Sequence, residues 1–382
     1  MREKVRLFRN DLEARFVRRP NRFLIIARKD GRELSCHCPN PGRLSELLFP
    51  GTELILEKRN RPGTDWTAAA LKRDGSNKNT IVPLYSSRAN DAAEKLILKE
   101  IIPNLAEVCR EYSMGGSRFD FLCRTKDGKR HLVEVKACSL VEHGVAMFPD
   151  APSARALKHL EELIHYSSEG FVCHVLFVIM HGKPDVFIPN LHTDPGFAAA
   201  ICGSRSVKIH AALIRCGTDG MASLEKKEIP IDLNRKLATS DSGSYLVLLE
   251  VSESCSIEAG SLGKLAIKPG WYVYTGSGRK NLSARIARHQ RKIRKQKHWH
   301  IDFLTPRAKS AIKAFPIRTF HNFECELASA LKELGGIGIG GFGCSDCRCE
   351  SHLFYFRDSP MLNRDFQDML FLYRHVKFKK GS

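Results

Sequence analysis

The sequence lacks any long apolar run and any cysteine framework of the kind found in secreted domains. The most apolar stretch, GFVCHVLFVIM at 170–180, is far too short to span a bilayer and predicts a buried strand. The N-terminal segment MREKVRLFRNDLEARF is charged throughout, so we expect no signal peptide. The thirteen cysteines are odd in number and scattered, which favours reduced thiols in a cytoplasmic protein, some of them available to a metal.

Acidic residues are scarce relative to basic ones. The 382 residues include 61 Lys and Arg against 42 Asp and Glu, a formal net charge of +19. Such an excess favours polyanionic partners, with nucleic acid first and an anionic membrane surface second. A soluble basic protein without such a partner is the alternative interpretation. No segment forms an amphipathic helix with a broad apolar face, so membrane binding ranks last.

Changes in sequence pattern along the chain predict three domains and a tail. Short β-rich runs between Gly, Pro and Asn turns fill 1–85 and favour a small closed β-domain, interpreted as a five-stranded barrel. Residues 86–232 predict an α/β core, and a polar, turn-rich linker follows at 233–244. A second α/β unit is predicted at 241–358 and a basic tail at 359–382. The predicted fold class is therefore mixed α/β (α+β).

Capping residues mark two helices within the 86–232 segment. Asn90 begins NDAAEKLILKEIIPNL and is a candidate N-cap. Ser153 and Gly170 bracket SARALKHLEELIHYSSEG as its candidate cap and stop. With the buried strand that follows, these helices give the strand–helix–strand order of an α/β core.

The segment SRFDFLCRTKDGKRHLVEVKACSL at 117–140 predicts two strands joined by a short turn, carrying Asp120 and then Glu134-x-Lys136. A two-residue turn would send Asp120 away from Glu134. A three-residue loop at 126–128 would pair the two acids, with their β-carbons about 5 Å apart. Carboxylates that close repel each other unless a cation lies between them, and oxygen ligands suit Mg²⁺. Lys136 could then orient an attacking water. Both registers stay open, and a solvated hairpin is the alternative.

Longer motifs surround this hairpin and carry a family resemblance. RRPNRFLIIA, CHCPNPGRLSELLFPG, GGSRFDFL and LVEVKACSLVEHGVAMFPDAPSARALKHLEEL occur in order. Over residues 5–217 the chain thereby resembles the sugar fermentation stimulation protein A family. The resemblance implies an OB-like domain followed by a PD-(D/E)xK nuclease-type domain that binds DNA. It implies Asp120, Glu134 and Lys136 as the nuclease residues, with Mg²⁺ or Mn²⁺ as the cofactor, and Glu111 as a weaker candidate for the preceding acid.

Residues beside these motifs complete the first candidate site. The sequence departs from the family pattern beside the acids rather than on them, at Pro41, Pro152 and Ala156. Basic residues nearby are candidate nucleic-acid contacts, with a solvated helix face as the alternative: Arg118, Arg155 and Lys158, with His159 beside them.

A second constellation begins with two strand-like pieces, GSYLVLLEV and GWYVYTGSG, followed by the helix-like run NLSARIARHQRKIRKQK. No acid occurs between Arg279 and Lys297, and self-repulsion makes such a run costly without an anionic partner. The pattern therefore favours phosphate contact over a solvated face. The candidate contacts are Arg279 and the basic residues at helical spacing, Arg285, Arg288, Lys292 and Lys295.

This region, at 241–356, resembles the GIY-YIG endonuclease superfamily in its Uri-like branch. The sequence departs from that pattern at Ser244, where isoleucine is usual, and in a longer gap between the tyrosine motifs. The resemblance implies a tyrosine or histidine base, an arginine on the phosphate and a glutamate on one Mg²⁺, while one tyrosine could be structural. The implied residues are Tyr245, Tyr274, Arg285, His289 and Glu324, the last preferred to Glu326.

The remaining cluster is Cys344-x2-Cys347-x-Cys349-x2-His352. Three sulfurs and an imidazole within nine residues suit a tetrahedral structural Zn²⁺, with His298 or His300 as an alternative ligand. Reduced cysteines packing a glycine-rich loop are the other interpretation.

Together these patterns predict a divalent-metal-dependent nuclease that acts on DNA or RNA. The alternative is a non-catalytic DNA-binding regulator of sugar metabolism built on degenerate nuclease folds. The two acids at Asp120 and Glu134 argue against it, because a pure binder gains nothing from carboxylates facing a polyanion. The sequence leaves the strandedness of the substrate and the oligomeric state open.

Overall fold

The structure is a computed structural model. It describes residues 3–59, 63–73, 80–291, 293 and 297–376. The chain divides into two compact units, Met1–Ala238 and Thr239–Ser382, and the division falls within the predicted linker at 233–244. Within the described ranges, no helix is both long enough and apolar enough to cross a membrane.

The first unit begins with a closed β-barrel. β1 (Val5–Arg6) pairs outside the barrel, whose strands are β2 (Leu12–Asn21), β3 (Leu24–Lys29), β4 (Arg32–His37), β5 (Glu53–Lys58), β6 (Trp66–Arg73) and β7 (Thr80–Pro83). Their order is β4-β3-β2-β5-β6-β7, and parallel pairing of β4 with β6 closes five of them. Alternate side chains such as Ile25, Ala27 and Leu54 fill the interior. The predicted five-stranded barrel is confirmed.

A mixed sheet occupies the rest of this unit. Its region contains β8 (Leu105–Met114), β9 (Ser117–Thr125), β10 (Arg130–Cys138), β11 (Leu140–Glu142), β12 (Val145–Phe148), β13 (Val172–Ile179), β14 (Val186–Pro189), β15 (Val207–Cys216) and β16 (Met221–Lys226). The seven-stranded sheet has the order β1-β16-β15-β13-β10-β9-β8, and β11-β12-β14 form a smaller one. β10, β13 and β15 run parallel. β13 is the buried strand that the apolar run predicts.

Helices cover both faces of the seven-stranded sheet. They are α1 (Ala89–Ala92), α2 (Leu98–Ile101), α3 (Ala154–Ser168), α4 (Pro195–Gly203) and α5 (Arg235–Ala238), with a wider helical turn at Ala93–Ile97 joining α1 to α2. α1 and α2 pack on the face of Val133, whereas α3 and α4 pack on the face of Leu132. Barrel residues Ile55 and Ile81 share the first of these cores. The barrel and the α/β core therefore belong to one compact unit.

The two predicted helix caps have different outcomes. The Ser153 side chain accepts a hydrogen bond from the Ala156 N–H at 3.1 Å, and α3 ends before Gly170, as predicted. Asn90 is not a cap, because α1 begins one residue earlier and Arg88 occupies the N-cap position. The Asn90 amide instead bonds to a carboxylate from the sheet.

Three histidines form a ladder across the parallel strands. His131, His174 and His210 lie on β10, β13 and β15, with adjacent ring centroids 5.2 Å apart. His131 Nδ1 lies 2.9 Å from His174 Nε2, and His174 Nδ1 lies 3.0 Å from His210 Nε2. Burial lowers the pKa of His174 to about 3 and that of His210 to about 4, with Lys208 adding to both shifts. The ladder is therefore neutral at physiological pH.

The second unit is built on an antiparallel sheet of order β21-β17-β20-β23-β22. Its strands are β17 (Gly243–Val251), β18 (Cys255–Glu258), β19 (Lys264–Ile267), β20 (Gly270–Gly278), β21 (Lys313–Arg318), β22 (Ile337–Gly338) and β23 (Leu353–Phe356). Its helices are α6 (Leu282–Gln290), α7 (Ile301–Leu304), α8 (Glu324–Glu333) and α9 (Arg364–Phe371). α6 and α7 pack on one face and α8 and α9 on the other, which is the predicted α/β arrangement.

Two expectations for this unit differ from the structure. The basic tail predicted at 359–382 is wrong for its described part, because α9 and the turn Leu372–Val376 bury apolar side chains such as Phe366 against the sheet. The predicted basic helix ends at Gln290, where Arg291 turns to extended backbone. Repulsion between like charges without intervening acids favours this early end. The predicted contacts Lys292 and Lys295 lie outside the described residues.

Candidate active sites

The acids of the 117–140 hairpin meet where β9 and β10 separate. The observed pairs run from Arg130 with Arg124 to Val133 with Phe121, which is the register of the three-residue loop. That alternative is therefore the correct one. The ladder ends one pair before Asp120 and Glu134. Beyond it, the Val135 N–H donates to Asp120 Oδ2 at 2.7 Å, so this side chain replaces a backbone partner.

Residues from two helices hold the two acids. Asn90 on α1 donates to Asp120 Oδ1 at 2.7 Å. On Glu134, Oε1 lies 2.6 Å from His159 Nδ1 on α3 and accepts a hydrogen bond from Lys136 Nζ at 2.5 Å. Sequence reasoning missed both helix residues in these roles, since it assigned Asn90 to a cap and His159 to the phosphate-contact group.

The two carboxyl groups have opposite pKa shifts. Burial, reinforced by the charge of Glu134, raises the pKa of Asp120. Burial also raises the pKa of Glu134, but hydrogen bonds from His159 and Lys136 outweigh it and bring that pKa below its ordinary value. The site therefore keeps Glu134 ionised, whereas Asp120 resists ionisation. A cation between the two acids would lower the pKa of Asp120 and favour its ionised form as well.

The donor set fits a divalent cation. Glu134 is 4% exposed, and its Oε2 is buried without a hydrogen-bond partner among the described residues. A carboxylate oxygen left in that state is costly unless a cation or water satisfies it. Asp120 accepts one bond on each oxygen and retains further lone pairs. Asp120 and Glu134 could thus hold Mg²⁺ or Mn²⁺, with Lys136 beside them.

The other residues predicted near this site lie on the surface. Arg118 pairs with Glu111 at 3.3 Å, so Glu111 is bound to an exposed arginine rather than to the acid pair. Lys158 pairs with Glu162 at 3.6 Å on α3, and Arg155 is exposed on the first turn of that helix. These basic side chains remain available for contact with a polyanion.

A basic groove on the first unit was not predicted from the sequence. It has a volume of about 450 Å³. It is lined by Arg9, His37, Lys58, Arg59, Thr67, Tyr85, Ser87 and Arg88. The Arg88 guanidinium lies 5.7 Å from the centre of the Tyr85 ring. Four cationic side chains around one aromatic ring match the composition of a single-strand binding surface.

In the second unit, the tyrosine motifs and α6 come together. Tyr245 on β17 and Tyr274 on β20 have ring centroids 6.5 Å apart, and both are buried. Tyr245 Oη lies 2.8 Å from His289 Nε2. A Cβ at Gly276 would lie 2.3 Å from Tyr245 Oη, so glycine is needed opposite this hydroxyl. Burial raises the pKa of both tyrosines, which keeps them protonated.

The arginines of α6 have different environments. Arg285 donates to the Ser277 carbonyl at 2.6 Å and lies 4.8 Å from the Trp299 ring centre. Arg288 forms an ion pair with Asp302, whose side chain is fully buried. The prediction of Arg288 as a nucleic-acid contact is therefore not supported by its geometry, because its guanidinium neutralises a buried acid. The predicted contact Arg279 is exposed.

Glu324, at the start of α8, points to the strand that carries Tyr274. Its Oε2 accepts a hydrogen bond from Ser277 Oγ at 2.5 Å, and its Oε1 lies 3.2 Å from His352 Nδ1. Glu326 is exposed on the same helix. The geometry thus favours Glu324 over Glu326 as the metal-ligating acid, with lone pairs remaining on both of its oxygens.

The cysteine cluster differs from the predicted ligand set in one member. The ligand atoms of Cys325, Cys347, Cys349 and His352 all lie within 4.8 Å of one another. Cys344 is not part of this group; its Sγ lies 3.7 Å from the Glu350 carbonyl oxygen. The alternative ligands His298 and His300 also lie outside the group. Cys325 escaped the sequence analysis because it is far from the motif in the chain.

Comparisons with known proteins decide the family. Residues 17–82 match the model of the SfsA N-terminal OB domain, and residues 87–220 match that of the sugar fermentation stimulation protein RE domain. The sugar fermentation stimulation protein homolog of Pyrobaculum islandicum is 37% identical over 221 residues, which are 57% of this chain and 93% of that protein. The chain belongs to the sugar fermentation stimulation protein family. The predicted family and the predicted fold class are confirmed.

Other comparisons define the extent of this family region. The Methanothermobacter thermautotrophicus homolog is 35% identical, covering 56% of this chain and 89% of that protein. The solved structure of Pyrococcus furiosus SfsA in complex with Ca²⁺ aligns with a TM-score of 0.53 and 26% identity, covering 60% of this chain and 99% of that one. Residues 244–374 match a separate model, domain of unknown function DUF123. The second unit is thus an addition to a family-length first unit.

Proposed function

We propose that this chain is a divalent-metal-dependent nuclease that hydrolyses phosphodiester bonds in nucleic acid. The observation that carries the proposal is the convergence of Asp120, Glu134 and Lys136, with Glu134 Oε2 buried and lacking a hydrogen-bond partner in the described part of the chain. A binding surface for a polyanion has no use for one buried and one half-buried carboxylate, since they repel the ligand and cost desolvation energy. A metal site accounts for both features.

The chain's own residues supply the remaining parts of the reaction. A divalent cation at Asp120 and Glu134 would compensate negative charge on the phosphate. Lys136 uses one N–H donor on Glu134 and has two left to orient water or the phosphate. Asn90 and His159 fix the rotamers of the two acids, so the site is organised before substrate binds. The basic groove and the formal charge of +19 favour retention of a nucleic-acid strand.

We propose a second nuclease site in the second unit, of the GIY-YIG type. The Tyr245–His289 pair supplies the candidate base, with His289 Nε2 as the proton acceptor because burial keeps the Tyr245 hydroxyl protonated, and Arg285 is the candidate phosphate ligand. Glu324 is the candidate ligand of one Mg²⁺. The resemblance of the motifs and the convergence of α6, β20 and α8 support this assignment. The two sites lie in different units and can be inactivated separately.

A cleavage assay on the full chain tests both sites. Labelled single- and double-stranded DNA and RNA are incubated with Mg²⁺, Mn²⁺ or EDTA, using wild type, Asp120→Asn, Glu324→Gln and the double variant. We expect each single variant to lose one component of metal-dependent cleavage by on the order of 100-fold or more. The matched control is Asp127→Asn, which changes an exposed acid in the turn of the same hairpin.

Binding measurements separate catalysis from affinity. In Ca²⁺, Asp120→Asn should bind labelled DNA as tightly as wild type or slightly more tightly, because a negative charge facing the ligand is removed. Salt-sensitive binding without products from any substrate or metal would contradict the nuclease proposal and favour the regulator. If the double variant cleaves as fast as the Glu324→Gln single variant, Asp120 contributes nothing to cleavage and the first site is excluded.

A further inference from the structure

Four metal-ligating side chains meet beside Glu324, from parts of the chain that lie far apart in sequence. Cys325 is on α8, whereas Cys347, Cys349 and His352 belong to the loop that leads into β23. His352 is buried, Cys347 and Cys349 are half-buried, and Cys325 is exposed. Three sulfurs and one imidazole nitrogen form a ligand set that is typical of structural zinc.

The spacing of the cluster is close to that of a tetrahedral site. Bond lengths of about 2.3 Å to sulfur and about 2.0 Å to nitrogen separate tetrahedral ligands by about 3.5 Å for a sulfur–nitrogen pair and about 3.8 Å for two sulfurs. Cys347 Sγ lies 3.4 Å from His352 Nε2, and every pair in the cluster lies within 4.8 Å. No pair therefore exceeds its tetrahedral separation by more than about 1.3 Å.

The second nitrogen of the same histidine faces the proposed catalytic acid. His352 Nδ1 lies 3.2 Å from Glu324 Oε1, so a metal on Nε2 would leave an Nδ1–H to donate to this carboxylate. Carboxylate–histidine–zinc arrangements of this kind fix both the imidazole tautomer and the carboxylate orientation. Glu324 and Cys325 are also adjacent in the chain, so one metal would fix the start of α8 from two directions.

We propose that Cys325, Cys347, Cys349 and His352 bind one structural Zn²⁺, and that this centre positions Glu324 through His352. Binding releases the protons of the three thiols, and the metal ties α8 to the loop before β23. Glu324 would thus contact His352 of the zinc site and also be the candidate Mg²⁺ ligand. The role in catalysis rests on the proposed function of this unit, whereas zinc binding does not.

Cysteine variants of the full chain test the ligand set. Wild type purified under reducing conditions should contain one zinc per chain by elemental mass spectrometry. Cys325→Ser should retain less than about a tenth of that zinc after dialysis against a weak chelator, because one of four ligands is lost. Cys344→Ser is the matched control and should retain it all, since Cys344 belongs to the sequence motif but not to the cluster. Equal zinc loss in both variants, or no zinc in wild type after addition of Zn²⁺, would overturn the proposal.

A measurement on wild type covers the case in which Cys325→Ser fails to fold. Alkylation followed by mass spectrometry should show Cys325, Cys347 and Cys349 protected together and released together by a strong zinc chelator. Labelling of Cys255, which is half-buried outside the cluster, should not respond to the chelator. A disulfide among the three cysteines, or independent labelling, would refute the site.

The link to Glu324 has its own readout, which needs no nuclease activity. Glu324→Gln should raise the Kd for Zn²⁺ by about 10- to 100-fold, because the carboxylate that supports His352 is lost. Glu326→Gln, two residues along the same helix, is the control and should leave that Kd unchanged. A zinc affinity unaffected by Glu324→Gln would leave the zinc site standing and disprove the positioning role.

Discussion

The histidine ladder makes the stability of the first unit depend on pH in a calculable way. His174 has a pKa of about 3 in the folded protein against an ordinary value of 6.5. A base whose folded pKa is lowered contributes stability that is present above the unfolded pKa and is lost as the pH falls toward the folded pKa. Between about pH 7.5 and 5.5, one such group lowers the free energy of unfolding by about 1.4 kcal/mol.

His210, with a folded pKa of about 4, adds a second contribution of similar size. Other buried histidines, such as His181, also contribute, so the ladder is isolated by difference rather than from wild type alone. We expect the wild type to lose at least about 1.4 kcal/mol more than His174→Gln over this interval. His165→Gln, which changes an exposed histidine on α3, is the control and should match the wild-type dependence.

The assay must report on the first unit, because two compact units need not unfold together. Urea unfolding of the full chain, followed by pulsed hydrogen exchange and mass spectrometry of peptides from β10 and β13, gives that resolution. Equal pH dependence in wild type and His174→Gln would refute the conclusion that the folded sheet holds His174 neutral. If His174→Gln loses more free energy of unfolding than the wild type as the pH falls, the effect of the ladder on stability has the opposite sign to the one predicted.

Two further predictions concern the second unit. Gly276→Ala should displace Tyr245, since the added methyl would lie 2.3 Å from the tyrosine hydroxyl. Metal-dependent cleavage by this unit and the ring signals of histidine-labelled protein should then change. Gly340→Ala is the control and should leave both unaltered, because its added methyl meets nothing within 4 Å. Arg288→Met should lower the free energy of unfolding of the unit by about 3 kcal/mol in urea, because the buried Asp302 loses its arginine partner and keeps only His289 at 3.5 Å and backbone N–H donors among the contacts described. A change in DNA affinity without a change in stability would show that Arg288 is a surface contact after all.

Local patterns predicted most of the fold. Alternation and turn residues predicted the barrel, and the apolar run at 170–180 predicted β13. They could not choose the register of the 117–140 hairpin, because both turns are compatible with Asp127 and Gly128. The structure has Gly128 at φ 82° and a Thr125 N–H that donates to the Lys129 carbonyl at 3.1 Å, which belongs to the longer loop. Only the packed sheet favours that register.

The partners of the candidate site were harder to predict than its acids. Asn90 precedes Asp120 by thirty residues, and no spacing rule connects an amide on one helix to a carboxylate at a strand end. His159 appeared to be one of several polar residues on α3, although it alone is turned inward to Glu134. Cys325 was also missed, because it lies far along the chain from the Cys344–His352 motif that it joins in the fold. Such contacts depend on tertiary packing.

The end of the histidine ladder determines the direction of its hydrogen bonds. Each neutral ring carries one N–H, so the ladder can donate either from His131 toward His210 or in the opposite sense. His131 Nε2 is buried, and no described residue offers it a hydrogen-bond partner. If the ladder donates from His131 toward His210, His131 Nε2 carries only a lone pair. If it donates in the opposite sense, His131 Nε2 carries an N–H without an acceptor among the described residues.

Buried N–H groups without acceptors are rarer than underused acceptors, so the first direction is the stable one. All three rings then carry their proton on Nδ1, with His131 donating to His174 and His174 donating to His210. The bonds form a polarised row that crosses three parallel strands diagonally, because each histidine lies two residues beyond the register partner of the preceding one. One nitrogen at the end of the ladder, without a partner among the residues that the structure describes, thus determines the tautomer of rings up to two strands away.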